Sequence, residues 1–438
     1  MSMKNYKGLV PIVLAVCLVL SFYMLITTRA DVANQYNTYL KQAREYGEKG
    51  IVVDAVYNYN AAMAIKDSLD LHLEVGNLYV QMEELDMAIA WGQKMVENYP
   101  TEAAAYEFLL TRYRANSDFH RCFALYEVIQ KRELASEKIT EIMKDIQYVF
   151  YYGEAFDDVG PYSDGYYSVN REGKWGLATV NGNTAVYARY ASVGAFVNGL
   201  APVKTFDGEV YFIDVDGNKK KVVTAAGNLT ELQPMVGDLY AGFDGVSWAF
   251  YNTNDKKVSE DYSNVSLMAN GVAAVQKDGR WQVVDGNFNP ISTDTYTDVV
   301  QDDRGVACRN GVIFVNKGNG YYMIDTTGKQ VCDKVFEDVR LFGDQTYAAV
   351  ETAQGWTFID GKGEFVFKDR YFDDARSFVN GFAAVCGDGL WGYIDQEGNE
   401  VIAYQFMDAK DFSPKGCAFV KTENAWILLR LYSKNYEK

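Results

Sequence analysis

Gly389-Leu390-Trp391-Gly392-Tyr393-Ile394-Asp395-Gln396-Glu397-Gly398-Asn399 reads as a strand, a turn that Asp395 opens and Gly398 closes, and the start of a second strand. Aromatic and aliphatic residues alternate here as a pleated, half-buried surface requires. Aspartate accepts hydrogen bonds from backbone just ahead of it, and glycine tolerates positive φ, so the two punctuate a tight turn. Aligned on Trp391, the same position recurs at Trp175, Val210, Trp248, Trp281, Tyr321, Trp356 and Trp426, at spacings of 33 to 40 residues. Seven residues beyond the anchor stands Gly182, Gly217, Gly328, Gly363 or Gly398. An aromatic–acid signal precedes four anchors: Phe156-Asp157-Asp158-Val159, Phe336-Glu337-Asp338-Val339, Phe372-Asp373-Asp374-Ala375 and Phe406-Met407-Asp408-Ala409.

A repeat of this length holds about three short strands and cannot bury its aromatic face alone, so the units must stack. A buried tryptophan removes roughly 150–250 Å² from water, about 4–6 kcal/mol at ~25 cal/mol per Å². The anchors Trp175, Trp248, Trp281, Tyr321, Trp356, Trp391 and Trp426 are therefore expected to seal each unit against its neighbour. Gly176 and Gly392, one position on, face the other side, where a missing side chain lets another backbone approach. The spacing fits a closed, propeller-like ring of about eight three-stranded units or an open β-solenoid. The ring is expected, because the last unit stops soon after Trp426 and Tyr148-Val149-Phe150-Tyr151-Tyr152 could supply its missing strand.

Gly173-Lys174-Trp175-Gly176 and Leu390-Trp391-Gly392-Tyr393-Ile394-Asp395 resemble the signature of the WG (or KWG) repeat family, over about residues 150–432. That resemblance implies a bacterial, surface-associated protein. With the segments upstream it looks like an arrangement found in Firmicutes.

Upstream the periodicity is helical. Between residues 31 and 147 apolar residues recur at three and four, and Gly47, Gly50, Asp67-Ser68, Asn98-Tyr99-Pro100-Thr101 and Asn116-Ser117-Asp118 punctuate helices of about 14–18 residues. Tyr46, Tyr79 and Tyr113, and likewise Ala55, Ala88 and Cys122, lie 33 and 34 residues apart. Residues 69–100 resemble a tetratricopeptide repeat, which implies a short solenoid with a concave face. Before it, Gly8 to Thr28 carry no charge. As a helix this stretch matches a hydrocarbon core of about 30 Å. Lys4 and Lys7 precede it, so residues 1–30 are expected to be a signal anchor with the N-terminus in the cytoplasm and the body outside. A cleaved signal peptide is the rival reading. The whole is an α+β multidomain chain: anchor (1–30), helical repeats (31–147) and β-repeat domain (148–438).

Composition narrows the function. Net charge is −17, and only Lys4, Lys7 and Arg29 of the 42 basic residues fall in the first 30 positions, where no acid occurs. A body this acidic repels phosphate backbones, which argues against nucleic acid as a partner. Six cysteines show no CxxC spacing, and the two histidines, His72 and His120, both precede the β repeats. His-based triads and zinc sites are therefore not expected in the larger domain. Asp157-Asp158, Asp302-Asp303 and Asp373-Asp374 suggest paired acids, but two of these pairs share one repeat position, which favours turn chemistry. Asp214-Val215-Asp216-Gly217-Asn218 begins like a calcium loop but lacks the bidentate glutamate. Lys317-Gly318-Asn319-Gly320 reads as a hairpin turn and Lys219-Lys220-Lys221 as a solvated edge.

The expectation is a non-enzymatic membrane-anchored binding or scaffold protein without cofactor or metal. Its partner would be a protein, a peptide or a cell-wall glycan. The alternatives are an extracellular glycan-active hydrolase built on Asp and Tyr, or a structural spacer. Non-repeating polar residues converging in one deep pocket would favour the hydrolase, and a shallow aromatic surface would favour binding.

Overall fold

The computed structural model describes residues 9–223, 228–344 and 346–435. It divides after Gln147 into a helical unit and a β unit spanning Tyr148–Asn435. Lys4, Lys7 and Gly8, which bear on the anchor's orientation and start, lie outside the described residues.

The helical unit comprises α1 (Leu9–Glu48), α2 (Val52–Ile65), α3 (Leu69–Gln81), α4 (Leu85–Asn98), α5 (Ala103–Ala115), α6 (Phe119–Lys131) and α7 (Glu137–Ile146). Residue 30 was expected to divide the anchor from the first repeat helix. Instead α1 runs through it, because neither proline nor glycine occurs between Pro11 and Gly47 to end the turn-by-turn pattern. Leu14–Glu48 is the one helix among the described residues that is long and apolar enough to cross a membrane. The later helices are somewhat shorter than expected, 10 to 14 residues.

Their packing follows the repeat. Ala55, Ala88 and Cys122 are fully buried, and Tyr79 and Tyr113 are nearly so. A side chain at Gly76 would come within 2.6 Å of the Phe108 ring, so this glycine sets how closely α3 and α5 approach. Glu74 of α3 ties three helices together: it accepts from Arg44 of α1 at 2.9 and 2.7 Å and from the Tyr59 hydroxyl of α2 at 2.8 Å. His72 is buried between the rings of Trp91 and Tyr99, with Nε2 2.9 Å from Asp67 Oδ1, which is a packing position.

The β unit forms eight antiparallel sheets. Blade one contains Asp158–Ser163, Tyr166–Arg171, Lys174–Thr179 and Thr184–Tyr190; blade seven contains Asp374–Ala375, Phe382–Gly387, Leu390–Asp395 and Glu400–Phe406. Blade eight contains Asp408–Ala409, Cys417–Lys421 and Trp426–Leu431, and its fourth strand is Phe150–Phe156 from the start of the unit. The register runs from Phe150 opposite Leu431 to Phe156 opposite Trp426. The ring is thus closed by its own first strand, and the open solenoid is ruled out. Short clusters of buried apolar residues sit between successive sheets. One joins Ala384, Tyr393 and Phe406 of blade seven to Phe412, Val420 and Leu429 of blade eight.

The three strands expected of each unit are met in blades three to five and exceeded elsewhere, except in blade six, which has two. Blades one, two, seven and eight have four. In blades three to six the outer strand survives as isolated bridges, such as Trp248 to Tyr262 and Trp281 to Tyr296. The Trp-Gly dipeptide explains part of this. A Cβ on Gly392 would sit 2.6 Å from the Ile402 carbonyl oxygen, and one on Gly176 would sit 2.3 Å from that of Val186. Both outer strands are bulged at this point and lie directly over the glycine. Where Ala249, Gln282, Tyr322 or Thr357 follows the anchor, no outer strand forms beyond bridges, whereas Tyr211 and Ile427 stand at the same position in blades whose outer strands are laddered. The Asp–Gly turn is built as its chemistry demands. Asp395 Oδ1 accepts from the Asn399 amide at 2.7 Å, and Gly398 has φ of 83°. The calcium-like stretch is the same turn, Asp214 Oδ1 accepting from Asp216 and Asn218 amides.

Candidate functional site

The anchors occupy equivalent positions but are not equally buried. Trp281, Trp356 and Trp426 are 4–5% exposed, whereas Trp175, Trp248, Tyr321 and Trp391 are half-buried. Each lies opposite an aromatic residue of the outer strand: Tyr190, Tyr262, Tyr296, Phe336, Phe372, Phe406 and, through closure, Phe156. The phenylalanine of the aromatic–acid signal is therefore the cross-strand partner of the preceding anchor. Its second acid opens the innermost strand by accepting from the next amide, as Asp374 does from Ala375 and Asp408 from Ala409, both at 2.7 Å. Turn chemistry accounts for these carboxylates, as expected.

The inner strand has a second repeating position, two residues after that acid. Its amide donates back to the next strand, as in Arg376 to Ala384 and Lys410 to Phe419. Around the ring the position holds Gly160, Gly194, Gln233, Ser266, Val300, Arg340, Arg376 and Lys410. The three cations occupy successive blades, and each lies over the anchor ring of its own blade. Arg340 is 4.7 Å from the Trp356 centroid, Arg376 5.8 Å from Trp391 and Lys410 5.4 Å from Trp426. Each arginine also reaches the opening acid of the next blade, Arg340 to Asp374 and Arg376 to Asp408, both at 3.5 Å.

Asp303 completes the cluster from the far side. It follows the inner strand of blade five, yet lies 3.3 Å from Lys410 and 3.8 Å from Arg376. Blade five neighbours neither blade seven nor blade eight, so these contacts cross the middle of the ring. Residues 301–305 are held there by the amide of Leu267, which donates to the Gly305 carbonyl at 2.7 Å, and by Asp302, which binds Arg304 and Arg309 at 3.1 and 2.6 Å.

Beneath this crossing lies a cavity of about 660 Å³, lined from five blades. Tyr162 comes from blade one, Asp302 and Asp303 from blade five, Arg340 and Asp344 from blade six, Asp374, Arg376 and Trp391 from blade seven, and Asp408, Lys410 and Asp411 from blade eight. Enclosure works to raise the Asp303 carboxyl, but Lys410 and Arg376 outweigh it and hold the group below the usual range. Asp411 is pushed the other way. Its side chain is exposed to the cavity, and desolvation by the surrounding ring raises its carboxyl against the pull of Arg376. Beside it Tyr393 is buried, its hydroxyl donating to the Lys410 carbonyl at 2.7 Å, and burial raises its phenol well above the ordinary value.

Of the anchors singled out from sequence, only Trp391 lines this cavity, where it is joined by Asp302, Asp303 and Asp374 of the acid pairs and by Met407 and Asp408 of the aromatic–acid signal. Gly392 and Gly176 support outer strands, and the remaining anchors lie outside the lining. Asp303 was noted in sequence only as one of an acid pair, and Arg340, Arg376, Lys410 and Asp411 were missed. A signal existed for three of them: Asp338-Val339-Arg340, Asp374-Ala375-Arg376 and Asp408-Ala409-Lys410 repeat a base two residues after the acid. Among the described residues no group of three or more His, Cys, Asp or Glu side chains could hold a metal ion.

Fold and repeat together define a propeller-class ring of WG units. Five stretches match the family model for the WG containing repeat, at residues 155–175, 175–208, 248–281, 356–391 and 391–426, most of them running from one anchor to the next. The chain is a WG-repeat protein with helices preceding its repeats. No curated protein matches the sequence. Similar solved structures include a eukaryotic initiation factor, at 14% identity and TM-score 0.42 over 65% of this chain and 86% of that one. Others are Kluyveromyces lactis Hsv2, at 11% and 0.35 over 63% and 98%, and the WD40 β-propeller domain of Doa1, at 10% and 0.32 over 64% and 97%.

Proposed function

We propose that this is a non-enzymatic binding or scaffold protein, anchored by α1, that displays its helical repeats and its ring outside the cytoplasm. The observation behind the binding role is the charged cavity, where side chains from five blades converge while the repeat frame around them stays constant. Its cations stack on rings and bind neighbouring acids, an arrangement that presents fixed charges to a partner. Support for the anchor is that Leu18, Val19, Phe22, Tyr23 and Met24 stand 66–72% exposed along α1, an apolar surface suited to lipid. A protein, a peptide or a cell-wall glycan is the partner this arrangement suits, and an acidic body disfavours nucleic acid.

Two measurements test it. Affinity capture with the full-length chain should recover a partner whose retention falls in Arg376→Ala; equal retention counts against the cavity as the binding face. Protease added to intact cells should digest the body, and full protection would refute the topology.

A second reading has one specific observation in its favour. Asp303 and Asp411 share a cavity in environments that push their carboxyls in opposite directions, the pattern of an acid–base pair in a glycan hydrolase. Release of reducing ends from cell-wall glycan, abolished in Asp411→Asn, would establish it.

A further inference from the structure

The repeat itself supplies an acid to only two of the three cations in blades six to eight. Asp374 reaches Arg340 and Asp408 reaches Arg376, each at 3.5 Å. Lys410 has no such acid: among the described residues its one ion pair is with Asp303, 3.3 Å away. Arg376 is under-used as well. Its Nε–H is buried and has no acceptor, and its further contact, to Asp303, is 3.8 Å long. Asp303 therefore stands where both cations would hold a carboxylate ligand. Its own grip is slight, because its side chain is 54% exposed and makes one hydrogen bond, from Lys410 at 3.3 Å. The turn that carries it is fixed separately, by the Gly305 amide donating to the Asp302 carbonyl at 2.8 Å and by Leu267 donating to that of Gly305. The side chain can thus turn away while its backbone stays in place.

We propose that Lys410 and Arg376 form a site for an acidic side chain, aspartate or glutamate, of a partner polypeptide, and that Asp303 fills this site until the partner displaces it. This rests on the binding reading above and names the chemistry of its partner. The chain shows what the site accepts: a carboxylate carried on a tight polypeptide turn and brought to the cations across the ring. Lys410 and Arg376 hold that carboxyl below the usual range although enclosure works the other way. The Trp391 and Trp426 rings lie 5.8 and 5.4 Å from the two cations and fix them before any ligand arrives. Charge-assisted pairs of this kind close to about 2.7–2.9 Å when unconstrained. Asp303, tied to its turn, stays farther off, so an acid without that tether gains contact. The cavity of about 660 Å³ gives it room beside the crossing.

Isothermal titration of the full-length chain in detergent tests this with four blocked tripeptides, acetyl-Gly-X-Gly-amide with X aspartate, glutamate, asparagine or lysine. Acetate and glucuronate serve as the small-acid and sugar-acid arms. The aspartate or glutamate peptide should bind at least tenfold more tightly than the asparagine and lysine peptides. Asp303→Asn should strengthen that binding at least tenfold, because the internal competitor loses its charge; a gain of binding does not come from a damaged fold. Adding Arg376→Gln to Asp303→Asn should remove the gain. Adding Lys362→Gln instead, which takes a cation from an exposed turn outside the cavity, should retain it. Unchanged or weaker binding in Asp303→Asn overturns the proposal, as does equal binding of the asparagine peptide or no binding of an acidic peptide. If acetate or glucuronate binds as tightly as the acidic peptides, the carboxylate comes from a small molecule or a glycan and the polypeptide proposal is overturned. In each case, partner capture that still depends on Arg376 would leave the binding reading standing.

Discussion

Blades six to eight and blades one to four share the anchor register of the repeat but differ in the residue at one inner-strand position. The former carry Arg340, Arg376 and Lys410 there, and the latter Gly160, Gly194, Gln233 and Ser266. The amides of Gly194, Ser266 and Arg376 nonetheless make the same donation to the next strand. Three of the eight inner positions are thus charged and five are neutral on a shared inner-strand pattern. The difference separates two demands on one repeat: the anchor and its aromatic partner maintain the ring, and the inner position is free to meet a ligand.

The most severe way to break the shared frame is to open it. Deleting residues 148–156 removes the outer strand of blade eight, and the β unit should lose its single cooperative unfolding transition in calorimetry. An open stack would instead fray at one end and keep most of its transition. Next come the anchors themselves. Trp356→Ala, at 4% exposed, should cost about 3–5 kcal/mol in urea unfolding, as large aromatic truncations do. The same cost is expected from sequence for Trp391→Ala, but Trp391 is half-buried and the structure lowers the figure to about 2–3 kcal/mol. Equal losses at the two sites would erase the distinction between a purely sealing anchor and one that also lines the cavity.

A smaller effect tests the glycine beside the anchor. Gly392→Val should lose roughly 1–3 kcal/mol, the usual range for forcing atoms into a packed site, because its Cβ would meet the Ile402 carbonyl. Ala249→Val, at the same position of a blade whose outer strand is only bridged, should lose less; a reversed order would show that the glycine does not hold the outer strand. The smallest expected effect is electrostatic. Asp303 has a folded pKa below its unfolded value, so its contribution is present above about pH 4, the unfolded aspartate range, and is lost as pH falls through the folded pKa. Asp411 is raised, so its contribution has the opposite sign and is lost as pH rises through its folded pKa. Lys410→Gln should therefore flatten the acid limb of the stability profile, by less than about 1 kcal/mol because Asp303 is half-exposed and screened.

The frame was legible because it repeats. Eight anchors, their turn glycines and the unpaired strand at Tyr148–Tyr152 carry enough register to place the blades and to close the ring. The outer strands were harder to read. Beside Tyr322 the segment from Lys329 to Phe336 makes bridges rather than a ladder, yet Tyr211 and Ile427 also replace the glycine and their outer strands are laddered, so the dipeptide alone does not mark them. The continuity of α1 also escaped, since a change from apolar to polar composition at Arg29 alters the helix's surroundings without altering its backbone. The cavity was the least legible part. Its decisive side chains are those that the repeats do not share, and Asp303 and Lys410 meet only because a ring brings blades five and eight across its middle. Alignment of repeats reveals what is common, so it hides a site made from differences.

Closure by the first strand also governs how the protein is made. Phe150 must wait for Leu431, 281 residues later, before the ladder between them can form. While the chain is being synthesised, blades one to seven can assemble in order as their residues emerge, but blade eight stays incomplete until Trp426–Leu431 has left the ribosome. Such long-range pairing folds slowly and leaves a strand edge exposed in the meantime. Until then Trp426 lacks Phe156, and the waiting edge of Phe150–Phe156 is open to strands of other nascent chains. Truncations that stop short of Trp426 should consequently accumulate as aggregates rather than as shorter rings.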